Sequence, residues 1–201
     1  MTSDATSSPP PLPTPAPTLE HTTAEPTESP NKYLTDPDTV SGLAAFAAEF
    51  SKESDRASVI IGAARLDVLL KELLVRVLQP CTSSTDELLD GDSPRSTFSS
   101  RIQMCNRLGL IDAKLTRALH LIRRIRNEFA HEPSTITLAH ASHRDRIKQL
   151  VAPFRDTKVF QLFLKSKELT TAPEGTAREF RAALTLLCAR LEGGLSKAKP
   201  I

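Results

Sequence analysis

The segment LHLIRRIRNEFAH, residues 119–131, gathers three arginines, two histidines and an asparagine within a few turns of chain. Wound as an α-helix at about 100° per residue, it sorts these groups by face. Leu115, Ala118, Ile122, Ile125 and Phe129 share one arc, and Arg117, His120, Arg123, Arg124, Asn127 and His131 share the other. Asn127 and His131 stand four apart, so both can converge on one ligand. Arg123, Arg124 and Asn127 are the expected ligand or partner surface. The plainer role for His131 is to let imidazolium complement the dipole of a helix that ends there, with the arginines a solvated face. Arg126 breaks the pattern, because it projects within the apolar arc. Asp67 does the same on a long helix upstream, between Ala63, Leu74 and Ile60. A buried charge costs several kcal/mol unless paired. Asp67 and Arg126 are therefore expected to form a structural ion pair, with Arg56 as the rival partner for Asp67.

Other chemistries find little support. There is no glycine-rich phosphate loop, and Gly62, alone in a helix, reads as a close-packing position. His140 and His143 are three apart, but no Cys or carboxylate joins them at ligand spacing, so neither metal nor cofactor is expected. Asp86, Asp90 and Asp92 lack the spacing of a calcium loop. Cys81, Cys105 and Cys188 are far apart and form no CxxC pair, which points to a reducing compartment.

The elements that must carry these groups follow from periodicity. Val40, Leu43, Phe46, Ala47 and Phe50 predict an amphipathic helix over 38–51. Ser54 opens a run stopped by Pro80, in which Val59, Ala63, Leu66, Leu70, Leu73, Leu74 and Val77 share one side and Ile61, Val68 and Val75 the other. Apolar on most of its circumference, it is the expected buried central helix. One turn or two at 85–90 precedes the loop GDSPRS. Thr97 caps a helix through Leu108, and after LGLID, Asp112 caps the helix that ends at His131 before Pro133. Helices are predicted over 137–151 and 176–192, the last stopped by Gly193 and Gly194. VFQLFL, within 154–164, has no partner strand and reads as helix. The class is all-α, a single helical bundle domain over 37–192 around helix 54–79, packed against 112–131.

Eight of the 15 prolines fall in the first thirty residues, among threonines and almost no large apolar side chains. Residues 1–35 are accordingly expected to be a disordered Pro/Thr-rich tail, and 193–201 a flexible C-terminal one. PPPLP could dock a proline-reading domain, although a spacer role needs fewer assumptions. The formal net charge is +2, but the first thirty residues hold four acids and no Lys or Arg, which leaves 26 basic against 20 acidic side chains, a net +6, on the remainder. That is mildly basic, short of a dedicated nucleic-acid binder. With neither a secretory pattern nor a long apolar run, a cytoplasmic protein with no membrane contact is expected. The pair of helices 97–108 and 112–131 superficially matches a helix-turn-helix. Its second helix, however, offers only Lys114, Thr116 and Arg117 to read bases.

RASVIIGAARLDVLLKELL, ELLDGDSPRSTFSSRIQMCNRLGLID and LHLIRRIRNEFAH, in that order, resemble the mannitol operon repressor family over about residues 55–132. The resemblance implies a compact helical domain, usually dimeric. It also implies transcription regulation without a recognised helix-turn-helix, acting mainly through a protein partner. Residues 126–131 are also similar to the R-N-x-x-x-H signature of HEPN domains, which include metal-independent ribonucleases. That resemblance implies catalytic roles for Arg126, steadying phosphate, and His131, shuttling the proton of a ribose 2′-hydroxyl, at a dimer cleft. Arg126 lies about 140° around the helix from His131. Joint action therefore requires a distorted helix end or a residue from the partner. The leading expectation is the regulator, with a homodimer and a protein partner, RNA or DNA standing second. The alternative is the HEPN-type ribonuclease.

Overall fold

Local signals start most of the helices where the side chains predict. Ser54 accepts the N–H of Ala57 and begins α2, Asp55–Val77; Thr97 accepts the N–H of Ser100 and begins α3, Phe98–Arg107. Asp112 Oδ1 takes the N–H of Leu115 at 2.7 Å and begins α4, Ala113–His131. Such capping satisfies donors that a helix's first turn leaves orphaned. The remaining helices are α1, Pro37–Lys52; α5, Ala141–Val151; α6, Lys158–Leu164; and α7, Thr176–Leu195, with a 3-10 helix at Lys167–Thr171. The structure, a computed structural model, describes residues 37–84, 86–90, 93, 96–131 and 136–200. The expected tail, residues 1–35, lies outside the described residues, as do the side chains of Val40, Leu43, Asp92 and Pro133. The described residues form an all-α bundle with no strand, and VFQLFL is helical.

Three boundaries depart from expectation for identifiable reasons. The chain does not enter α5 at Thr137, because Leu138 is buried and donates its N–H to Asp55 Oδ2 at 2.9 Å, tethering the approach to α2. The 3-10 turn at 167–171 has no periodic signal. Gly193 and Gly194 do not stop α7, which continues to Leu195 and therefore takes part of the expected C-terminal tail into the bundle. Gly193 is itself buried, so packing holds the helix where propensity would end it.

The enclosed helix is α7 rather than α2. Every residue from Phe180 to Ala189 is buried, and α7 packs against α1, α2, α5 and α6. On α2 one side is fully buried against α3, α4 and α7, but Ile61, Val68 and Val75 remain 46%, 46% and 57% exposed. The apolar circumference of α2 thus serves two purposes, and only one is the core.

Gly62 is where α1, α2 and α7 meet. A Cβ there would lie 2.5 Å from Leu184 Cδ1 and 3.0 Å from Phe50 Cζ, both fully buried side chains. Gly62→Val is expected to lower stability by about 1–3 kcal/mol through overpacking, measured by urea denaturation. No loss would mean that the contact can relax.

Candidate functional site

Burial of one face of α4 orients the other. Leu115, Ala118, Leu119, Ile122, Ile125 and Phe129 are buried, and α4 packs on α2, α3 and α5. The opposite side presents a basic ridge: Arg117 and Arg124 exposed, His120, Arg123 and Asn127 half-buried, and His131 exposed in the last turn. The ridge is therefore a consequence of amphipathic packing.

The expected ion pair is not the one formed. Asp67 Oδ2 is held by Arg101 Nη1 at 2.7 Å, so neither Arg126 nor Arg56 is its partner. The reason is the position of α3, which packs on α2 and supplies Arg101. The same guanidinium also donates to the Leu89 carbonyl at 2.8 Å. Arg126, half-buried, forms no ion pair among the described residues. It donates Nη1 to Asn127 Oδ1 at 3.1 Å. That bond bends the guanidinium round α4 toward the row of Asn127 and His131, residues about 40° apart on the helix. The structure thus brings Arg126 and Asn127 together and leaves Arg126 without an acid among the described residues.

The one acid inside the motif is committed elsewhere. Glu128 accepts from Arg146 of α5 and lies 3.3 Å from Nδ1 of His143, which is fully buried. The His143 ring packs on Phe129 with centroids 4.8 Å apart. Glu128 therefore fastens α4 to α5, and the ridge keeps its positive charge. Two further observations agree. Arg123 buries Nε without a hydrogen-bond partner among the described residues. Desolvation and then the charges of Arg123 and Arg124 hold the pKa of His120 below its ordinary 6.5.

This last effect has a definite sign. A histidine with a lowered pKa in the folded state contributes stability above pH 6.5 and loses it as pH falls through 6.5 toward the folded value. An anion seated on the ridge offsets Arg123 and Arg124, so added phosphate or oligonucleotide is expected to raise the His120 pKa, read by NMR titration of its ring protons. An unchanged titration would show that anions bind elsewhere.

Arg181 is the site residue that sequence reasoning missed. On α7 and fully buried, it reaches Asp55 Oδ1 at 3.2 Å and the carbonyls of Glu53, Ala177 and Phe50 at 2.8, 3.1 and 3.4 Å. Burial lowers its pKa, and Asp55 opposes that shift. The signal was available, since Arg181 sits in the apolar arc between Ala177 and Leu184, the same anomaly that drew attention to Arg126. Cys105 and Cys188 are buried, and desolvation pushes both thiols up to about 12, which makes them poor nucleophiles. Among the described residues, no three His, Cys, Asp or Glu side chains cluster to hold a metal, and no helix is long and apolar enough to cross a membrane. No protein-family model matches this chain, and neither a curated protein nor a solved structure matches it.

Proposed function

We propose that this protein is a HEPN-type, metal-independent ribonuclease that acts on RNA through the α4 ridge. The observation that carries the proposal is Arg126, half-buried, free of any acid among the described residues and turned onto Asn127. In this reading Arg126 and Arg123 hold the phosphate, and Asn127 orients Arg126. His131 takes the proton of the ribose 2′-hydroxyl as that oxygen attacks the adjacent phosphorus, and the 5′-oxygen leaves and is reprotonated. The experiment is cleavage of single-stranded RNA by wild type and His131→Ala, with and without a chelator.

A second reading, favoured by a different observation, is regulation by protein contact, as the mannitol-operon-repressor resemblance implies. An open groove of about 630 Å³ between the C-terminal end of α2 and α3 is lined by Leu78, Leu88, Met104 and Leu108. Leu88 and Leu108 are among the few large apolar side chains left exposed. Equal RNA cleavage by wild type and His131→Ala would leave this reading in possession.

A further inference from the structure

Six large apolar side chains are exposed among the described residues, and three of them, Ile61, Val68 and Val75, lie on α2. They are spaced by seven, so they form one stripe nearly parallel to the helix axis, about 21 Å long. A groove of about 520 Å³ runs beside it, lined by Val68, Lys71, Glu72, Val75, Arg76 and Leu195. Scattered apolar side chains on a surface need no explanation, but an aligned set does.

The charges beside the stripe say what covers it. Arg65 and Glu72 lie on the same flank, about 60° and 40° round the helix from Val68, three residues before it and four after. Both are exposed. Arg65 already holds Glu192 of α7 at 2.9 Å through Nη2, which leaves other donors of its guanidinium available. Glu72 has no cation within ion-pair distance among the described residues. On the opposite flank lie the small Ala64 and the stem of Lys71, whose ammonium is engaged by Asp90.

We infer that a second copy of this chain docks here, α2 against α2, antiparallel about a two-fold axis through Val68. That axis sets Val68 on its own symmetry mate and Ile61 against the second copy's residue 75. It keeps like flanks together, so Arg65 of each copy meets residue 72 of the other, twice over. Ala64 makes room for the Lys71 stem of the second copy. A parallel pairing inverts the flanks, so it sets Arg65 and Glu72 of one copy against the Ala64 and Lys71 flank of the other and loses both ion pairs. The surface is self-complementary in shape and charge, as an isologous interface must be. It lies on another helix than the α4 ridge, so it does not depend on RNA being the substrate.

The test is sedimentation equilibrium of the full chain over a wide concentration range. Wild type is expected to dimerise, and Val68→Asp to weaken the dimer at least about 30-fold, since it places two carboxylates on the axis. Arg65→Glu and Glu72→Arg, each alone, set like charges against each other at both contacts and are expected to be monomeric. Mixed in equal amounts, these two variants restore both ion pairs and are expected to form a heterodimer. All three positions are exposed, and thermal melts confirm that each variant folds. A wild type that stays monomeric, a dimer indifferent to Val68→Asp, or a mixture that stays monomeric would overturn the inference, the first two assigning the stripe to another partner.

Discussion

Arg181→Ala is expected to destabilise the fold by about 3–5 kcal/mol, the usual cost of breaking a buried ion pair by removing one partner. The guanidinium supplies donors to Asp55 and to three carbonyls that end α1, open α2 and lie one turn back on α7. Its loss strands those acceptors and leaves Asp55, a residue only 19% exposed, without its cation. Arg181→Lys is expected to recover little, because one ammonium cannot reach acceptors arrayed round a planar fork. Asp55→Asn is expected to cost less, since the amide oxygen can still take the Leu138 N–H. Urea denaturation read by circular dichroism measures all three. An Arg181→Ala protein within about 1 kcal/mol of wild type would mean that these acceptors are satisfied by water and that the pair is dispensable.

The second large effect is on chemistry. If the α4 ridge cleaves RNA as proposed, His131→Ala is expected to reduce that cleavage about 10²- to 10⁴-fold, the range for removing a general acid–base group. Arg126→Ala is expected to reduce it about 10²- to 10³-fold, as when one stabilising donor is removed from a developing oxyanion. His131 is exposed and Arg126 has no ion pair among the described residues, so neither change should unfold the bundle. Arg126→Lys should not rescue, because a point charge cannot both hold Asn127 Oδ1 and fork onto phosphate. Arg117→Ala and Arg124→Ala, on exposed ridge positions, are expected to weaken RNA affinity alike for all sequences and to reduce its dependence on salt. A cyclic 2′,3′-phosphate at the cut end would identify attack by the 2′-oxygen. Full cleavage by His131→Ala would remove that residue from the mechanism.

The two arginines also show how far a residue pattern reads. Asp67, Arg126 and Arg181 each announce themselves in the sequence as a charge within an apolar arc, and periodicity alone says that each needs a partner. Choosing the partner requires knowing which helix packs over which. Asp67 is met by Arg101 because α3 packs on α2. Arg126 turns along its own helix, and Arg181 reaches Asp55 because α7 lies against the junction of α1 and α2.

The sequence alone determined what depends on neighbours three and four residues apart. This includes the all-α class, the caps at Ser54, Thr97 and Asp112, and the division of α4 into an apolar face and a basic one. Those properties are local, set by side chains within one or two turns. The tertiary structure decided everything that depends on distant parts of the chain. It enclosed α7 in place of α2, carried α7 through two glycines, committed Glu128 to α5 and left the stripe of Ile61, Val68 and Val75 outside. A valine in a helix is the same residue whether another helix covers it or not, and only packing between distant segments makes the difference.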